Sequence, residues 1–94
     1  MVDIQDVYAF CRRLQVEVSA GFYESRTPSS VVITGEYFTY SGQLLSILIV
    51  VNAAKVSVKF FDLSKRLLFT EVTSSGISTS NRLLSFVHRS LSRY

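Results

Sequence analysis

The chain has 94 residues, a formal net charge of +3 at pH 7, and 48% hydrophobic residues. This length suits a single domain, residues 1–94, with a thin core. The longest apolar window, residues 44–54, is far shorter than the roughly 20 residues that a membrane-spanning helix needs. Acidic Asp3 and Asp6 near the start argue against a secretory signal, and a single cysteine, Cys11, forms no internal disulfide. We therefore expect an intracellular, cytoplasmic protein.

The first predicted element is a helix over residues 4–19. Its apolar residues recur at steps of three and four, the spacing of one helical face: Ile4, Val7, Tyr8, Cys11, Leu14 and Val18. Asp3 is suited to the N-cap, Asp6 stands where the helix dipole favours an acid, and Gly21 supplies a stop. We expect the apolar face of this helix to pack on the core.

Four strands are predicted next, after an irregular loop over residues 22–30 that contains Pro28. They are rich in β-branched and aromatic residues and cover residues 31–40, 43–51, 55–61 and 66–72. The turns between them are so short that consecutive strands must be antiparallel neighbours. The middle of the chain is therefore expected to form a meander.

A second helix is predicted over residues 82–94, after a connection rich in serine, threonine and glycine. One side of it is apolar: Leu83, Leu84, Val87, Leu91 and Tyr94. The fold class is thus predicted as α+β, with the order α-β-β-β-β-α. A four-stranded antiparallel meander sheet packs with the N-terminal and the C-terminal helix.

The strand over residues 43–51 is apolar on both of its faces. Two helices can cover one face of the sheet, which leaves Leu44, Leu48 and Val50 on the other face. One helix on each side of the sheet would hide them, as would the loop over residues 22–30 folded across the back. The third possibility is a protein interface, because exposed apolar patches of several hundred Å² are unusual on a monomer.

Aromatic residues cluster near the first predicted strand: Tyr23, Tyr37, Phe38 and Tyr40. Some of these rings must belong to the core, and the others are candidates to anchor a protein partner, since tyrosine is enriched at interface hot spots. We assign Tyr37 to the candidate protein interface with Leu44, Leu48 and Val50.

The second helix carries the excess positive charge. All seven acidic residues stand at or before Glu71, whereas Arg82, Arg89 and Arg93 follow it. These arginines share a stripe with Phe86, opposite the apolar side, and Lys55 and Lys59 on the third predicted strand could extend it. Guanidinium groups bind phosphates and a ring can stack on an unpaired base, so the stripe is a candidate contact for single-stranded DNA or RNA.

Catalytic and metal-binding patterns are weak. Cys11 lies within an apolar helical stripe, where a thiol behaves as a small hydrophobic group, so a catalytic pair with His88 is not expected. The acidic residues lack ligand-like spacing, and the four glycines are scattered singly. We therefore predict no enzyme activity, no metal site and no cofactor.

Taken together, these patterns favour a non-catalytic protein-interaction module, an adaptor or a small inhibitor of a larger protein. We expect a homodimer formed through an apolar sheet face or edge, together with a protein partner. The alternative is a nucleic-acid-binding protein that uses the basic stripe and its aromatic ring. No motif in the chain identifies a family.

Overall fold

The computed structural model describes residues 2–91, which form one five-stranded sheet and two helices. The elements follow in the order α1 (Ile4–Val18), β1 (Gly21–Arg26), β2 (Val31–Phe38), β3 (Leu44–Val51), β4 (Val56–Phe61), β5 (Leu67–Thr73) and α2 (Asn81–Leu91). All neighbouring strands are antiparallel and lie in chain order. The α+β meander between two helices is confirmed.

The sheet has five strands rather than the predicted four. Strand β1 occupies most of the segment expected to be a loop, and it pairs with β2 from Gly21 opposite Glu36 to Arg26 opposite Val31. The turn is confined to the next four residues, where the Thr27 amide donates to the Ser30 carbonyl at 2.9 Å. The turn residues around Pro28 therefore end a strand and do not mark a longer irregular connection.

Helix α1 begins as predicted but ends at a different residue. The Asp3 side chain caps it by accepting a hydrogen bond from the Gln5 amide at 2.9 Å. At the other end Ser19 adopts the left-handed conformation with φ of 56°, and the Ala20 amide reaches the Leu14 carbonyl at 3.3 Å. The helix thus closes before Gly21, which is the first residue of β1.

The core lies between one face of the sheet and both helices. Ile33, Ile49 and Val58 stand side by side on three strands and are at most 2% exposed. The same buried cluster includes residues of both helices: Val7, Phe10, Cys11, Leu14, Leu83 and Val87. Both helices therefore cover the same face, so neither of them covers the opposite one.

Aromatic rings attach α2 to this covered face. Phe86 stacks on Phe69 of β5 with ring centroids 4.9 Å apart, and its centroid is 4.8 Å from that of Phe60 on β4. Ser80 caps the helix, because its hydroxyl accepts from the Leu83 amide at 3.3 Å. None of the helices among residues 2–91 is long and apolar enough to cross a membrane.

Candidate protein-binding face

The side of the sheet away from both helices is called the open face here. Strand alternation places every second residue on it, and the register aligns these residues in rows across the strands. Leu48 of β3 lies between Thr34 and Lys59, and the next row places Val50 between Val32 and Ser57. The face is therefore a continuous surface made by all five strands.

The open face carries a group of apolar side chains among polar ones such as Thr34, Ser46 and Ser57. Its centre holds half-buried residues: Val32, Leu44, Leu48, Val50 and Phe61. Towards its margins Tyr23 is 73% exposed, Phe38 is 64% exposed and Val72 is 58% exposed. An apolar group of this size at the surface of a monomer is typical of a binding surface.

An open groove of about 590 Å³ crosses this face near β1 and β2. Tyr23 and Phe61 lie at its two sides, with Thr34, Glu36 and Leu48 between them. Small side chains such as Ser46 leave room in its floor. The groove combines apolar walls with one carboxylate, which suits a side chain that has an aliphatic stem and a positive end.

Three of the four predicted interface residues share the open face. Leu44, Leu48 and Val50 alternate along β3 with the buried residues of the core, and each is half-buried where no helix covers it. Whether they contact a partner stays a prediction.

Tyr37 is not part of this surface, which corrects its assignment. It is 2% exposed and lies on the covered face, where its ring meets Phe60 edge to face at a centroid distance of 6.3 Å. Its hydroxyl and that of Ser90 on α2 are hydrogen-bonded at 2.6 Å. Burial raises the pKa of the Tyr37 hydroxyl despite this bond. The residue packs the second helix against the sheet.

Sequence reasoning missed Tyr23 and Val32 as members of the open face. The sequence groups Tyr23 with other aromatic residues but predicts a loop for its segment, and a loop has no inward and outward faces. Residues 21–26 show no alternation of apolar and polar residues in the sequence, so no local signal separated the outward Tyr23 from the inward Phe22.

Two residues of the predicted basic stripe, Arg82 and Phe86, already contact other side chains of the protein. The Arg82 guanidinium lies 5.2 Å from the centre of the Phe69 ring and 3.4 Å from a carboxylate oxygen of Glu71. The Phe86 ring stacks on the Phe69 ring, so one face of Phe86 is not available for stacking on a base. Arg89 is exposed on α2, whereas the predicted Arg93 lies outside the described residues.

The two lysines assigned to the same contact lie elsewhere. Lys59 is on the open face of β4, opposite the side that α2 covers, and Lys55 is in the turn before that strand. The structure therefore does not bring these lysines together with the helix arginines on one surface. Nucleic-acid binding stays a prediction.

The residues considered for catalysis are also dispersed. Cys11 lines a 200 Å³ pocket with Tyr8 and Glu24, and His88, exposed on α2, is not among its walls. Burial raises the pKa of the Cys11 thiol to about 11, far from the range of a reactive thiolate. Within residues 2–91, no group of three or more potential metal ligands comes together.

The carboxylates of Asp62 and Glu71 each have hydrogen-bond donors of their own. Asp62 accepts from the Arg66 amide at 2.9 Å in the turn between β4 and β5, and Glu71 accepts from the Ser80 hydroxyl at 2.7 Å beneath α2. Glu36 lies on the open face of β2, whereas Glu71 lies on the covered face of β5 and Asp62 follows the end of β4. Within residues 2–91, these three carboxylates therefore do not come together in one group.

Comparison of the chain with protein-family models, with curated proteins and with solved structures gives no significant match.

Proposed function

We propose that this protein is a non-catalytic protein-interaction module that binds a protein partner through the open face. One observation carries the proposal. Both helices pack on the same side of the sheet, which leaves Leu44, Leu48 and Val50 without cover from any described element. A small adaptor or an inhibitor of a larger protein would use such a surface.

Physical chemistry supports a binding role for this surface. Burying apolar surface is favourable by about 25 cal/mol per Å², so a partner that covers the central residues gains several kcal/mol before the costs of association. Tyr23 and Phe38 at the margin belong to the aromatic class that is enriched at interfaces. The backbone of the sheet is held by pairing between neighbouring strands, so it needs little rearrangement to bind.

The same proposal includes a cytoplasmic setting and no cofactor. Cys11 is a free, buried thiol, as expected for a chain that does not depend on a disulfide. A protein-binding module needs no bound metal or prosthetic group for this task.

The test compares wild-type protein with Leu48→Lys and Val50→Lys in affinity capture from an extract of the source cells. We expect both variants to lose the partner that wild type retains, because each places a charge in the apolar centre of the face. Val16→Lys is the matched control, since Val16 is 84% exposed on α1, away from the open face. Equal retention by wild type, Leu48→Lys and Val50→Lys would refute the proposal.

A further inference from the structure

We infer that the occupant of the open face is a second copy of this chain, packed sheet against sheet about a two-fold axis. This inference rests on the proposed function, because it names the partner of the same surface. Two opposite charges on the face, and their positions in the strand register, favour this partner.

Glu36 and Lys59 are the charged strand residues on the open face within the described part of the chain. One is acidic and the other is basic, and neither forms an ion pair within the described residues. A foreign partner would have to supply a matching base and a matching acid. A second copy supplies both, since in a two-fold interface each residue of a contact occurs twice.

The register allows both contacts at once. Glu36 of β2 and Lys59 of β4 flank β3, and they stand in adjacent rows, opposite Ser46 and Leu48 respectively. They are therefore separated by about 7 Å along the strands and about 10 Å across them. The midpoint between them lies over β3, between Ser46 and Leu48.

Consider a two-fold axis that runs parallel to the two sheets and midway between them, passes over this midpoint, and is perpendicular to the line from Glu36 to Lys59. Rotation about this axis brings each acid over the other copy's lysine. Leu48 lies beside the axis and meets its counterpart, so the apolar centre of one face covers that of the other. The strands of the two sheets then cross at about 70°, nearer to orthogonal than to aligned sheet packing.

The groove on the open face provides space for this arrangement. It has a volume of about 590 Å³ and includes Glu36 between Tyr23 and Phe61. The incoming Lys59 of the second copy would lay its aliphatic stem against these rings and place its ammonium group beside the carboxylate. The two charges on the face and the shape of the groove therefore both favour a second copy as the partner.

Charge reversal tests the inference. Glu36→Lys and Lys59→Glu each replace two attractive contacts of the dimer with two repulsive ones, so we expect each variant alone to weaken self-association by about 10- to 100-fold. A mixture of the two variants restores both contacts and should form a heterodimer of near wild-type affinity. Sedimentation equilibrium of the separate and mixed samples measures this, with thermal melts to show that each variant is folded.

The outcomes separate the inference from the function on which it rests. Dimers in the mixture but not in the separate variants support the second copy. A wild-type chain that is monomeric at about 100 μM overturns it, as does a dimer that both reversals leave unchanged. If such a monomer still loses a captured partner on Leu48→Lys, the protein-binding function stands and only the identity of the partner is wrong.

Discussion

The carboxylate of Asp6 in α1 accepts hydrogen bonds from both the amide and the hydroxyl of Ser78, 72 residues later in the chain. The Ile77 amide donates to the same carboxylate. Gly76 permits this approach, because a Cβ atom there would stand 3.1 Å from either Asp6 carboxylate oxygen. The start of the first helix is thereby bound to the connection that leads into the second.

Replacing Asp6 with alanine should destabilise the fold by about 1–2 kcal/mol at pH 7, because three donors lose a charged acceptor. Partial burial raises the pKa of Asp6, but the hydrogen bonds from Ser78 and Ile77 outweigh it and leave the pKa below its ordinary value. The stabilisation is therefore complete above the unfolded pKa of about 3.9 and is lost as pH falls through the folded pKa.

Urea denaturation of wild type and Asp6→Ala at pH 7 and at about pH 2.5 measures this dependence. The difference in the free energy of unfolding between the two proteins should shrink at the lower pH. Ser78→Ala, which removes one donor and leaves the amides, should lose less stability than Asp6→Ala. A difference that stays constant with pH would show that the charge of Asp6 contributes nothing.

Gly35→Ala should destabilise the protein by about 1–3 kcal/mol through overpacking. A Cβ atom at this position would lie 2.5 Å from the Phe22 ring and 2.8 Å from the Gly21 carbonyl oxygen. The ring can turn aside, but the backbone oxygen belongs to the paired strand and cannot move alone. Thermal unfolding measures the loss.

Gly21→Ala is the matched control for this substitution. The space around Gly21 holds no atom within 4 Å of the new methyl group, and the position requires no positive φ. Its melting temperature should stay close to that of wild type. Equal melting temperatures for Gly35→Ala and Gly21→Ala would mean that β1 does not hold Phe22 against β2.

The sequence was sufficient to predict most of the architecture. Apolar spacing located α1 and the Asp3 cap, and apolar and polar residues alternate clearly enough in β4 to predict its faces, whereas β3 is apolar on both faces. Strand β1 was missed because its composition is polar at one end, where Glu24 and Arg26 form an ion pair. Only pairing with β2 makes that segment a strand, and pairing between segments is not visible in composition.

The candidate site was predicted less completely. Leu44, Leu48 and Val50 could be placed together because strand alternation is a local property. The position of Tyr37 depends on which side of β2 the helices cover, and that follows from the packing of α2 through Phe86. Likewise, the engagement of Arg82 with Phe69 and Glu71 depends on the angle at which α2 crosses the sheet.

The Cys11 thiol should react slowly with a thiol reagent in the native protein. Because burial raises its pKa to about 11, the thiolate fraction at pH 8 is about 0.1%. Labelling with a chromogenic disulfide should be at least about 100-fold faster after unfolding in guanidinium chloride. Rapid labelling of the native protein at neutral pH would instead show that the thiol is reactive, and would favour a catalytic role for Cys11.

Oligonucleotides should not be retarded by this protein in a gel-shift assay at about 150 mM salt. Arg82 and Phe86 are committed to contacts with Glu71 and Phe69, and Lys59 faces the other side of the sheet. Single-stranded and duplex probes should give the same result. A shift that weakens steeply with salt and is reduced in Arg89→Glu would favour the nucleic-acid alternative.

The meander order has a consequence for how the molecule opens. Strand β3 is hydrogen-bonded on both sides, whereas β1 has a single neighbour. Amide protons of β1 can exchange with solvent when β1 separates from β2. Those of Ile47 and Ile49 exchange only when β3 separates from its neighbouring strands. Opening therefore spreads inwards from the margins of the sheet, and the central strand is the last to become accessible to water.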